Sequence, residues 1–267
     1  MSDPLRLLAI LAHPDDESFG LGGTLAHYAA HGVEISLLTA TRGERGRYFD
    51  NRDRPPDDEV GRIRERELRA AANELGVARV EVLGYRDGAL DSAPTQEVVG
   101  RIVSHVREIR PHVVISFGFD GAYGHPDHIA ISQLTTSAIV AAADPTYRPD
   151  EAAHRVAKLY HIGWPRRIWD LYQQVFKRMV SVVDGEERAV NPWPEWTLTT
   201  RVDARQQWET VWRAIQRHES QLTMYAHLGD LTPQQHAILW GDQHFCRVFS
   251  NVNSGRGREN DLFEGLR

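Results

Sequence analysis

The sequence predicts an α/β fold: a Rossmann-like, mostly parallel sheet with helices on both faces, followed by a C-terminal segment of mixed helices and strands. Three observations point there. Apolar runs of strand length recur at residues 5–12 (LRLLAILA), 33–40 (VEISLLTA) and 112–117 (HVVISF), and they are continuous rather than alternating, as in strands buried on both faces. Segments with helical spacing of apolar residues separate them. With 267 residues, 41% hydrophobic and 25% charged, the chain is the size of one large core, read as a single domain over residues 1–267. Its regular core is expected over 1–165 and a less regular part over 166–267.

The elements follow in order. After the first strand and a polar loop, residues 20–31 carry a helix-like pattern that stops at Gly32, a natural C-cap. The second strand, 33–40, leads into a charged, Pro-containing loop over 41–58 and a strong helix over 59–75, closed by Gly76. A short strand at 79–83, a helix at 95–109, the strand at 112–117 and a helix at 127–143 complete the regular half. Right-handed crossovers then give a strand order 3-2-1-4, with the first and fourth strands adjacent at the topological switch point. Beyond residue 150 the pattern supports strands at 158–164, 197–202 and 244–250, helices at 167–180 and 204–218, and a loop over 181–196. The polar tail from Asn251 gives no periodic signal.

Composition excludes several classes. A net charge of -6 without a basic run argues against nucleic acid as the main partner. The apolar runs fall far short of the ~20 residues a membrane helix needs, and residues 1–11 show no signal-peptide pattern, so a cytoplasmic protein is expected. The single cysteine, Cys246, cannot form an internal disulfide, and any metal site must be built without a thiolate cluster. Thirteen histidines remain to be explained.

Ligands in such sheets bind outside the carboxyl ends of the strands at the switch point. The two loops there read His13-Pro14-Asp15-Asp16-Glu17 and Tyr123-Gly124-His125-Pro126-Asp127-His128. Catalytic zinc takes three protein ligands and leaves a position open. His13 and Asp16 with one histidine of the second loop supply such a set, which suits Zn²⁺ and also fits Fe²⁺ or Co²⁺. Asp15 is then the nearest non-ligand carboxylate able to take a proton from water, and the remaining histidine can protonate a leaving amine or stabilise an oxyanion. Singly, the acidic residues could be helix caps and each histidine a satisfied structural group. Jointly, on two loops that the topology brings together, they read as a metal site.

A strand ending in AHPDDE and a later strand followed by GHPDH resemble the LmbE-like, or GlcNAc-phosphatidylinositol de-N-acetylase (PIG-L), family. The resemblance implies zinc held by His13, Asp16 and His128, Asp15 as general base, and His125 as acid or oxyanion partner. It implies a small-molecule sugar substrate, since members of this family mostly remove acetyl groups from N-acetylglucosamine-type sugars. An amidase of sugar-thiol conjugates in low-molecular-weight thiol metabolism is the alternative activity. The family's membrane-anchored members begin with a hydrophobic segment not seen here, and the resemblance is compatible with a homo-oligomer. It further suggests substrate contacts at Arg64, Asp87 and Glu44, and Tyr123 is placed to assist the oxyanion. Arg64 also fits a solvated, salt-bridged helix face (RIRERELR).

Two other classes fare worse. A dinucleotide-binding turn would need glycine where Leu25 stands, and Gly20, Gly22 and Gly23 come too late after the first strand. A non-catalytic sugar-binding relative with a vestigial site sits poorly with the intact set of His13, Asp15, Asp16, His125 and His128. Trp193 and Trp196 are read mainly as packing residues. His218, in the run RHESQ, has no assigned chemistry.

Overall fold

A computed structural model describes residues 3–176, 180–183, 185–188, 191–252 and 257–267. Strands β1 (Arg6–Leu11), β2 (Glu34–Thr41), β3 (Arg79–Tyr85), β4 (Val113–Ser116) and β5 (Lys158–Ile162) run parallel; β9 (Asp242–Ser250) pairs antiparallel with β5 and with the edge strand β8 (Thr200–Asp203). The order is β3-β2-β1-β4-β5-β9-β8, so the expected 3-2-1-4 arrangement is found with three further strands beyond it. Leu7 to Ala12 and Val113 to Ile115 have no solvent exposure, which explains their unbroken apolar sequence.

Helices α1 (Asp16–Ala30) and α2 (Asp57–Glu74) make the crossovers on one side of β1. Helices α3 (Thr95–Ile109) and α5 (Pro126–Ala142) pack together on the other. Between β4 and α5 lies the short distorted turn α4 (Gly121–Gly124). The second half adds α6 (Arg166–Phe176), a small hairpin of β6 (Ser181–Val183) and β7 (Glu186–Arg188), α7 (Trp208–Gln216), α8 (Glu219–Leu222) and α9 (Pro233–Gly241). Residues 177–179, at the end of the helix expected over 167–180, lie outside the described residues.

Two expectations change. The first helix begins at Asp16, four residues before its expected start at Gly20, so the acidic pair Asp16 and Glu17 forms its first turn. Gly22 and Gly23 inside it serve packing: α1 lies against α7 and α9, and a Cβ on Gly23 would sit 2.0 Å from the carbonyl oxygen of Trp240. The expected loop over 181–196 contains the β6–β7 hairpin, whose strands are too short to give a period. Within residues 257–267 the tail, which gave no periodic signal, docks on the sheet: Glu259, Leu262 and Phe263 are fully buried, and the Arg201 N–H donates to the Glu259 carbonyl at 2.9 Å. Among the described residues no helix is long and apolar enough to cross a membrane.

Candidate metal centre

Parallel pairing of β1 with β4, Ala9 beside Ile115, delivers the two histidine-bearing loops to one place. His13 Nδ1 lies 3.1 Å from His128 Nε2. The Asp16 carboxylate presents one oxygen to each, Oδ2 at 3.7 Å from His13 Nδ1 and Oδ1 at 3.4 Å from His128 Nε2. All three residues are buried. Asp16 Oδ2 also accepts the backbone N–H groups of Ala12 and His13 at 3.2 and 2.8 Å, which leaves Oδ1 as its freer oxygen.

The far nitrogens of both rings are already committed. His13 Nε2 faces Asp127 Oδ2 at 3.1 Å and Asp87 Oδ1 at 3.2 Å, and His128 Nδ1 faces the carbonyl of Gly121 at 3.3 Å. With those outer nitrogens turned to acceptors, the inner nitrogens, His13 Nδ1 and His128 Nε2, meet across 3.1 Å. Such a pair calls for a proton or a cation between them. Tetrahedral zinc with ligands at about 2.0–2.1 Å sets its donors roughly 3.3 Å apart, close to the spacings here. The donor set therefore fits a divalent ion of the zinc type.

Electrostatics agree. Burial opposes charge on His13, but the carboxylates of Asp127, Asp87 and Asp16 overcome it and raise its pKa to about 10. Burial likewise opposes ionisation of Asp16, yet the charges of His128 and His13 hold its carboxyl far below the usual range. The pocket is built for positive charge at its centre.

Gly121 is one of the positions that make this possible. Its φ of +62° turns the carbonyl onto His128, and a Cβ there would come within 2.8 Å of the Ile129 side chain. Phe117 stacks on the His128 ring at 3.9 Å, fixing its plane.

Asp15 stands at the head of α1 with φ 99° and makes no side-chain capping bond. The capping alternative therefore does not account for its carboxylate. Burial pushes its pKa up to about 6, against the pull of the neighbouring Arg64 guanidinium. His125 does cap its helix: Nδ1 accepts the Asp127 N–H at 3.2 Å, so the proton of the neutral ring sits on Nε2. Burial, then the charges of His128 and His13, lowers its pKa to about 4. Nitrogens of His13, His125 and His128 lie within 4.8 Å of one another.

The remaining expected residues surround this centre. Tyr123 is half-buried, its ring 5.2 Å from that of His128 and 5.8 Å from that of His125. Glu44 is half-buried and accepts the Asp87 N–H at 2.8 Å. Arg64 is only 3% exposed; its Nη1 donates to the Gly43 carbonyl and its Nη2 to the Pro14 carbonyl and Asp15. Asp87 is buried, contacts His13, and accepts the Arg45 N–H at 2.9 Å. Arg64 and Asp87 thus brace Asp15 and His13 at the edge of the centre. Trp193 donates its indole N–H to Asp120 at 2.6 Å, and Trp196, expected to pack, is 85% exposed.

Sequence reasoning missed Asp127 and Glu17. Asp127 is fully buried, accepts the N–H groups of Gly88 and Leu90, and holds His13. Its position inside the GHPDH run was the available signal.

The family model for GlcNAc-PI de-N-acetylase matches residues 8–139. A 1D-myo-inositol 2-acetamido-2-deoxy-alpha-D-glucopyranoside deacetylase of Geodermatophilus obscurus is 33% identical, with all of this chain and 99% of that protein covered. Among solved structures, the 4-carboxy-2-hydroxymuconate hydratase GalB of Pseudomonas putida gives a TM-score of 0.71 at 20% identity, covering 94% of this chain and 99% of that one. The N,N'-diacetylchitobiose deacetylase of Pyrococcus horikoshii gives 0.66, also at 20%, covering 92% and 83%. A hydratase and a deacetylase on one fold show that the fold alone does not set the reaction. Full-length identity to the inositol-glycoside deacetylase, together with the paired histidine loops, does place the sequence: the chain belongs to the GlcNAc-PI de-N-acetylase family.

Proposed function

We propose that the protein is a zinc-dependent hydrolase that removes the acetyl group from an N-acetylglucosamine-type glycoside, with residues 1–267 acting as one catalytic domain. The observation that carries this reading is the convergence of His13 Nδ1 and His128 Nε2, 3.1 Å apart, beside the Asp16 carboxylate. A relative that deacetylates an N-acetylglucosaminyl inositol, similar along its whole length, supports the substrate class.

His13, Asp16 and His128 would hold the ion. When bound, it supplies Lewis acidity, making water more acidic and polarising the acetamide carbonyl. Asp15 takes the proton of the attacking water; a carboxylate with pKa near 6 is ionised at neutral pH and basic enough for the task. His125, neutral with its proton on Nε2, donates a hydrogen bond to the oxyanion as the carbonyl carbon becomes tetrahedral. The proton gathered by Asp15 then serves the departing amine, and acetate leaves. Half-buried Glu44 and Tyr123, with Arg64 and Asp87, line the sugar side, and Arg64 and Asp87 also brace Asp15 and His13.

The test is acetate release from a panel of N-acetylglucosaminides, including the inositol and malate conjugates, before and after chelation and with Zn²⁺, Fe²⁺ or Co²⁺ restored. Thiol-conjugate amides belong in the same panel as the competing substrate class. Bound divalent ion and metal-dependent acetate release are expected. A protein that binds no divalent ion and releases acetate from none of them would overturn the reading.

A further inference from the structure

Asp15 is held in an unfavourable shape. Its φ of 99° is left-handed, a region that a residue with a Cβ rarely occupies unless its surroundings enforce it. Two groups hold the segment. Arg64 Nη2 donates to the Pro14 carbonyl at 2.6 Å and to the Asp15 carboxylate at 3.0 Å. On the backbone side, the Asp15 N–H donates to Glu17 Oε2 at 3.0 Å.

Glu17 is itself fully buried and fully engaged. Its Oε1 accepts from Ser18 Oγ at 2.5 Å and faces His218 Nε2 at 2.8 Å. His218, also without exposure, follows α7 and lies 201 residues from Glu17 in sequence. The residues just after it are anchored: Ser220 N and Oγ donate to Glu67 of α2 at 2.8 and 2.7 Å, and Gln221 donates to the Arg47 carbonyl. Removing a buried carboxylate from water is costly, so Glu17 needs these donors. A helix cap could use any exposed polar residue and would not need a buried histidine from the far end of the chain.

We infer that Glu17 and His218 are a positioning pair: Glu17 fixes the Asp15 peptide in its left-handed turn, and His218 fixes Glu17. The Asp15 carboxylate is thereby presented in one orientation before substrate arrives. This rests on the reading of Asp15 as general base.

Glu17→Ala, Glu17→Gln and His218→Gln, each loaded with Zn²⁺, are compared with wild type for kcat and KM on the N-acetylglucosaminyl inositol. Metal content and thermal melting are measured in parallel. Glu17→Ala is expected to lose about 100-fold in kcat, as for a base displaced by an ångström, with KM within about threefold and zinc content unchanged. Glu17→Gln keeps a carbonyl for the Asp15 N–H and recovers about tenfold of that loss; His218→Gln loses about tenfold. In an Asp15→Ala background, Glu17→Ala should add nothing further, because the group it positions is gone. A Glu17→Ala enzyme that melts lower yet keeps wild-type kcat overturns the inference, as does a full additional loss in the double variant. If Glu17→Ala does not fold, Glu17→Gln and His218→Gln decide the same question. Asp15→Ala with undiminished turnover would sink the base assignment and the pair together; an inactive Asp15→Ala beside a fully active Glu17→Ala sinks the pair alone.

Discussion

Asp127 Oδ2 lies 3.1 Å from His13 Nε2, on the side of the ring away from His128. That contact orients the imidazole and makes its other nitrogen a better donor. Asp127→Asn should therefore weaken divalent-ion affinity by about 10- to 100-fold. Competition with a chromophoric chelator would measure it, and unchanged affinity would mean that Asp87 alone suffices to orient His13.

Gly23→Ala tests how α1 meets the second half of the chain. The new methyl would press on the Trp240 carbonyl, a backbone atom of α9 that cannot swing away. Overpacking of this kind costs typically 1–3 kcal/mol, and more where only backbone can yield. At about 2–4 °C per kcal/mol for a chain of this size, the melting temperature should fall by roughly 5 °C or more.

Glu259 gathers Lys158, Tyr160, Thr200 and Arg247 around its carboxylate, all within 2.6–2.8 Å. Lys158 and Glu259 have no solvent exposure. Glu259→Ala would strand a buried ammonium, a change that costs about 3–5 kcal/mol. Urea unfolding should register the loss, and limited proteolysis should cut first within residues 257–267 as their anchor goes.

Asp242 predicts the acid limb of stability. Burial opposes its charge, but His244 and the guanidinium groups of Arg201 and Arg167 hold its carboxyl well below the usual range. With the folded value below the unfolded value of about 3.9, its contribution is complete above that pH and is lost as pH falls below it. Asp242→Asn should melt lower than wild type at pH 7, with the difference shrinking steadily below about pH 4. A difference that stays constant down to pH 2 would contradict the assignment.

Periodicity carried the sequence reading as far as the chain is regular. Strands buried on both faces write themselves as apolar runs, which is why β1, β2 and β4 were legible and with them the meeting of the two histidine loops. Beyond Ile162 the elements are short and built on long-range contacts, so β6, β7, α8 and α9 left no period to read. Gly22 and Gly23 fell inside the expected helix, but their purpose, close approach of α7 and α9, was hidden because the partners Val211 and Trp240 lie some 190 to 220 positions away. The reactive groups could be found from local motifs. Their supports could not: Asp127 and Glu17 are ordinary acidic neighbours in sequence, and His218 shows its partner only when the chain is folded.

The order of these contacts along the chain also separates events in time. Every residue assigned to hold the ion has been synthesised by His128, and β3-β2-β1-β4 is complete before it. His218 emerges roughly 90 residues later, about 5 to 20 seconds of translation at ordinary ribosomal rates. The order of synthesis thus puts the ion-holding residues ahead of the group that locks the base.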